Sequence, residues 1–102
     1  MANICTNMLH VSTKKRKNYD MVLSEIQRIF ECYYTDEYDE MVCEMEFESK
    51  WDFPVFDMKE ITSKLEADDT MYIRVLSYEL ASEYVGFHIF KNGQWIDKLN
   101  TN

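Results

Sequence analysis

Glycine and proline are nearly missing from this chain, with two Gly and one Pro in 102 residues. Two glycines cannot build a glycine-rich phosphate loop, and so few breakers argue against a disordered or low-complexity chain. No CxxC pair occurs. The three cysteines, Cys5, Cys32 and Cys43, are odd in number and scattered. That spacing supports neither a structural zinc site nor a disulfide framework, so reduced and mostly buried thiols are expected. No apolar run nears the ~20 residues of a membrane-spanning helix. The first residues carry neither a basic n-region nor an apolar h-region of signal length. The expectation is a soluble, cytoplasmic protein with no membrane contact. Lys and Arg are missing from one window too. Residues 31–48 hold eight carboxylates and no basic residue, while the other 84 residues hold eleven acids and eleven bases. The net charge of −8 is therefore the charge of that window. A local field of this kind acts on partners and association rate, not on fold.

What is present is core material. The hydrophobic fraction is 46% and the aromatic fraction 15%, in a length that makes one domain, residues 1–102. Residues 4–12 alternate, with Cys5, Leu9 and Val11 on one face and Ile4, Met8 and His10 on the other, which predicts a first strand. The basic run Lys14-Lys15-Arg16-Lys17 follows, read as a solvated connector or as a contact for phosphate or an acidic partner. Val22, Ile26, Ile29, Phe30 and Tyr33 recur with a 3.6-residue period and predict a helix over 19–33, capped by Asn18 or Asp20. Residues 34–40 read as an acidic loop. The run 41–51 is the clearest alternation, with Met41, Cys43, Met45, Phe47 and Trp51 on one face and Glu44, Glu46 and Glu48 on the other. Phe56, Ile61 and Leu65 predict a short helix over 57–67, with Asp57 as N-cap and Glu60 as its capping-box partner. Strands follow over 71–80, 84–91 and 94–98, the last two joined at Asn92-Gly93, a strong two-residue hairpin signal. The expected core is Leu9, Val22, Ile26, Ile29, Phe30, Met45, Phe47, Trp51, Leu65, Ile73 and Val75. Two helices covering one apolar face of a four- to five-stranded, antiparallel or mixed sheet make an α+β two-layer sandwich.

The chemistry-bearing residues are few. His10 and His88 lie on strands without a catalytic signature, and a Cys–His pair of Cys5 or Cys43 with His88 has no local motif behind it. Carboxylates in a straight row do not converge on a cation. No catalytic residue, metal site or cofactor is assigned. Tyr72, Tyr78, Tyr84 and Phe90 fall on predicted strands, and a sheet face of aromatics can stack bases. The row of glutamates would repel phosphates, and a pI near 4.6 argues against sequence-independent nucleic-acid binding.

Three segments carry a family resemblance. Ala2-Asn3-Ile4-Cys5-Thr6-Asn7-Met8-Leu9 resembles the opening of the YubB-type ferredoxin-like domains, small proteins of phages, plasmids and bacterial chromosomes. Phe47-Glu48-Ser49-Lys50-Trp51-Asp52-Phe53-Pro54 is similar to that family's stretch before a helix, and Ser77-Tyr78-Glu79 through Val85-Gly86-Phe87 is loosely similar to a later segment. Ile4 stands where the family has Trp, Phe53 where a first Pro is common, and Tyr78 and Glu79 are adjacent. The resemblance implies a ferredoxin-like fold and a mobile-element setting, and it transfers no active site. The functional expectation is a non-enzymatic acidic protein that binds a basic host protein through Asp36, Glu37, Asp39, Glu40, Glu44, Glu46 and Glu48. A nucleic-acid-handling defence enzyme is one target class, with carboxylates standing in for phosphates as a mimicking inhibitor. A nucleic-acid-binding ferredoxin-like module and a small enzyme are the alternatives.

Overall fold

The computed structural model describes residues 3–38 and 41–101. The described elements run β1 (Ile4–Ser12), α1 (Arg16–Ile29), β2 (Glu31–Glu37), β3 (Val42–Lys50), α2 (Val55–Ser63), β4 (Tyr72–Glu79), a 3-10 turn (Leu80–Ser82), β5 (Tyr84–Lys91) and β6 (Gln94–Asn100). The strands form one sheet in the order β2-β3-β1-β4-β5-β6, and every neighbouring pair is antiparallel. Among the described residues this is an α+β fold with two helices and six strands, where four or five strands are expected.

The extra strand is β2. The helical period predicts a helix through Tyr33 and a loop over 34–40. Instead α1 stops at Ile29, Phe30 turns to an extended conformation, and Glu31–Glu37 pairs along β3. Glu and Asp are poor strand formers, so composition argued against a strand that tertiary pairing nonetheless stabilises. A register shift between Cys32 and Tyr34 leaves Tyr33 outside the ladder as a bulge.

Period-2 alternation settles the faces. Cys5, Leu9 and Val11 of β1, Cys43, Met45 and Phe47 of β3, and Ile73 and Val75 of β4 are buried in one cluster with Tyr19, Val22 and Ile26 of α1 and Met58 and Ile61 of α2. Both helices therefore cover the same face. Ile29, Phe30 and Leu65 are only partly buried against that cluster. Trp51 is not in the core and is 52% exposed. Its φ of 72° ends the strand and breaks the alternation, its N–H donates to the Asn3 carbonyl at 2.9 Å, and Phe53 enters the core two residues later.

The caps differ from expectation as well. Among the described residues no side chain caps the N-terminus of either helix: Lys15 occupies the N-cap of α1 and Pro54 that of α2, so Asp20 and Asp57 are not caps. Asn18 is buried and pins a distant loop instead, donating to the Glu66 carbonyl at 3.0 Å and accepting from the Glu66 N–H at 3.0 Å. Asn7 does the same inside the sheet. Its amide donates to the Phe47 carbonyl at 3.2 Å and to Ser49 at 2.9 Å, and its oxygen accepts from Ser77 at 2.7 Å, which ties β1 to both neighbours. The β5–β6 hairpin matches expectation, with Asn92 and Gly93 at φ 53° and 77° between paired Lys91 and Gln94.

Candidate functional site

The face of the sheet away from the helices is uncovered among the described residues. Its composition follows from alternation and register together. One line across the strands runs Glu46, Met8, Leu76, Phe87 and Leu99, from β3 to β6. The next runs Glu44, His10, Arg74, Ile89 and Ile96. The face is therefore acidic on β3 and largely apolar from β1 to β6. Met8, Leu76 and Leu99 are 46%, 39% and 48% exposed, so they form an apolar surface and not a second core.

The sequence-predicted site divides. Glu44, Glu46 and Glu48 share this face, and Asp36 of β2 sits opposite Glu44. Glu37 points to the helix side, where it accepts a hydrogen bond from the Tyr19 hydroxyl at 2.6 Å. That contact is a correction to the single acidic surface expected of the window. Asp39 and Glu40 lie outside the described residues. Acids face acids across the β2–β3 ladder, Glu31 opposite Glu48 and Asp36 opposite Glu44. Like charges placed directly opposite each other destabilise the pairing.

Local partners offset part of that cost. Glu44 has His10 Nδ1 at 3.2 Å, Arg74 Nη2 at 3.8 Å and the Tyr38 hydroxyl donating at 3.3 Å. Glu48 accepts from the bulged Tyr33 hydroxyl at 3.1 Å. His10 also meets the edge of the Tyr72 ring, and the Arg74 guanidinium lies 5.9 Å from the same ring's centroid. Met8, His10, Glu44, Arg74, Leu76 and Phe87 line a shallow depression of about 270 Å³. Arg74 and the apolar line were not among the predicted site residues. Each strand shows them on its polar-facing side, but their meeting depends on register, which a single sequence does not display.

The aromatic platform divides in the same way. Tyr72 and Tyr78 flank the open face, whereas Tyr84 and Phe90 are buried on the helix side. The basic run is engaged within the chain: Lys15 and Lys17 pair with Glu66, and Arg16 with Asp20 at 3.5 Å. Burial pushes the thiols of Cys5, Cys32 and Cys43 above their ordinary values, the reverse of an activated nucleophile. No group of His, Cys, Asp and Glu suited to a metal is found among the described residues. No described helix is long and apolar enough to cross a membrane.

His88 lies on the helix side, 3% exposed, stacked on Phe53 with ring centroids 3.8 Å apart. Its Nδ1 is buried and has no hydrogen-bond partner among the described residues, and its Nε2 is 3.4 Å from Asp97. Burial lowers its pKa, while Asp97 and Asp52 pull it upward. The folded pKa thus lies below the unfolded one. The unfolded chain takes up the proton first as pH falls, so stability is complete above about pH 6.5 and is lost on acidification toward the folded value. Melting temperature should fall between pH 7.5 and 5.5, and His88→Phe should flatten that slope. An equal slope in the variant would remove His88 as the cause.

No family model, curated protein or solved structure matches this chain.

Proposed function

We propose that this protein is a non-enzymatic docking module whose open sheet face binds a basic protein. The carrying observation is the juxtaposition on one uncovered face of the acids Asp36, Glu44, Glu46 and Glu48 with the apolar line Met8, Leu76, Phe87 and Leu99. The apolar part supplies burial, and the acidic part supplies orientation and association rate. The β1-α1-β2-β3-α2-β4 connectivity with strand order β2-β3-β1-β4 supports reading the chain as a ferredoxin-like unit extended by the β5–β6 hairpin. The resemblance to YubB-type domains belongs to the same reading and carries the mobile-element setting with it. Docking on a protein fits this face better than imitation of a phosphate backbone. Glu44 is already held by His10 and Arg74, and the acids border an apolar surface instead of a second acidic line.

Capture from a host lysate, with identification of the protein retained, tests the proposal. Changing Glu44, Glu46 and Glu48 together to Gln should weaken capture about tenfold and leave the melting temperature little changed, since relieved like-charge repulsion offsets the weakened contacts of Glu44 with His10 and Arg74 and of Glu48 with Tyr33. Raising salt should slow association of the wild type with the captured partner. Undiminished capture by the folded triple variant would refute the acidic half of the docking face.

A further inference from the structure

Resting on that docking reading, we infer that the occupant of the open face is an amphipathic α-helix, apolar below and basic along one flank. The argument is one of matching dimensions. Carboxylates two residues apart on β3 recur every ~6.7 Å, because a strand rises ~3.3–3.4 Å per residue. Basic side chains four residues apart on a helix recur every ~6 Å, because a helix rises 1.5 Å per residue. Glu44, Glu46 and Glu48 then face residues i, i+4 and i+8 of a helix lying along the strands, over about two turns. A second extended strand would have to meet the sheet edge-on, where the outer strands are β2 and β6 and not the apolar centre.

The lateral spacing agrees. Strands lie ~4.8 Å apart, so β3 stands ~10 Å from β4, two strands away. That is about the diameter of a helix with its side chains. A helix seated above β1 and β4 rests its apolar stripe on Met8, Leu76 and Phe87 and brings one flank over the glutamates of β3. Lys and Arg stems reach the carboxylates while their methylenes cover apolar surface. The other flank, beside β5, lies toward Phe87, so it is apolar. Arg74 and His10 occupy Glu44, so the strongest new ion pairs fall at Glu46 and Glu48. The same sheet already carries two helices on its other face, and the occupant would complete a three-layer arrangement.

Three fluorescent synthetic peptides of about 20 residues, spanning ~30 Å if helical, test this. The first two share one composition of Leu, Ala, Gln and Lys, and the third differs from the first by two residues. The first places Leu on one helical face and Lys at i, i+4 and i+8 on one flank. The second scrambles that pattern, and the third keeps it but carries two central prolines. Fluorescence anisotropy should show the first binding at least about tenfold tighter than the others, and weaker at 300 mM than at 50 mM salt. Leu76→Asp and the triple Gln variant should each weaken it at least about fivefold, while Phe56→Ser, at an exposed position of α2, should not. Equal binding of the proline peptide, still sensitive to Leu76→Asp, would overturn the helix and leave the docking face standing. Binding of the first peptide that ignores both open-face changes would overturn both. Absence of binding by all three would overturn the helix, and the lysate experiment alone would then judge the face.

Discussion

Replacing Phe47 with Ala should lower the unfolding free energy by about 3–5 kcal/mol, the usual range for a buried aromatic. Phe47 is fully buried at the middle of β3, and its ring meets that of Phe30 at 4.6 Å between centroids. It is held between Cys32 of β2 and Asn7 of β1 in register, and its carbonyl accepts from the Asn7 amide. The site cannot close over a lost ring without pulling that buried hydrogen bond out of line, so the cavity persists and its cost adds to lost burial. A domain of this size holds about 5–15 kcal/mol in all, so the variant should be near its folding limit. Urea unfolding followed by tryptophan fluorescence measures the change. Phe47→Leu, which keeps most of the volume, should cost under about 1.5 kcal/mol. A cost below about 1 kcal/mol for Phe47→Ala would mean that the two faces of β3 had been assigned the wrong way round.

That assignment was legible because alternation reports a face directly. Met45 and Phe47, Ile73 and Val75, and Cys5, Leu9 and Val11 lie where their period puts them. So does the Asn92-Gly93 turn, because positive φ at both positions selects those residues. Three things were hidden. The strand Glu31–Glu37 carries acids that its pairing with β3 overrides. Trp51 continues the alternation in sequence, but the chain has already left the sheet with a positive φ. Asn18 looks like a cap, yet it serves as a two-way bracket for the backbone of Glu66, a contact made across 48 residues. The candidate site was half legible for the same reason. The glutamate row is local, and its parity shows in the sequence. The apolar line beside it is assembled from four strands, one residue from each of β1, β4, β5 and β6, and only the register brings Met8, Leu76, Phe87 and Leu99 into line. Like charges held opposite one another at Glu31–Glu48 and Asp36–Glu44 are a local conflict of the kind that functional surfaces retain.

Replacing Gly86 with Ala should destabilise the fold by about 2–4 kcal/mol, although the change adds a single methyl group. A Cβ on Gly86 would lie 2.4 Å from the Tyr84 hydroxyl and 2.9 Å from Cε1 of His88, closer than any real contact allows. Neither neighbour can retreat freely. Tyr84 is 4% exposed, and its hydroxyl oxygen accepts the Phe53 N–H at 3.2 Å. His88 is stacked flat on Phe53. The methyl group must displace the Tyr84 ring, and overpacking of this kind costs about 1–3 kcal/mol. The displaced hydroxyl leaves the Phe53 N–H buried without a partner, which adds about 1 kcal/mol or more. Tyr84→Phe provides the discriminating partner. It removes the atom nearest the new methyl group, so the double variant should be more stable than the sum of the two single changes by at least about 1 kcal/mol. Denaturant unfolding of the four proteins in the cycle measures that coupling. If Gly86→Ala proved harmless, or if its cost simply added to that of Tyr84→Phe, then Gly86 would not be there to let the Tyr84 hydroxyl approach the backbone of β5.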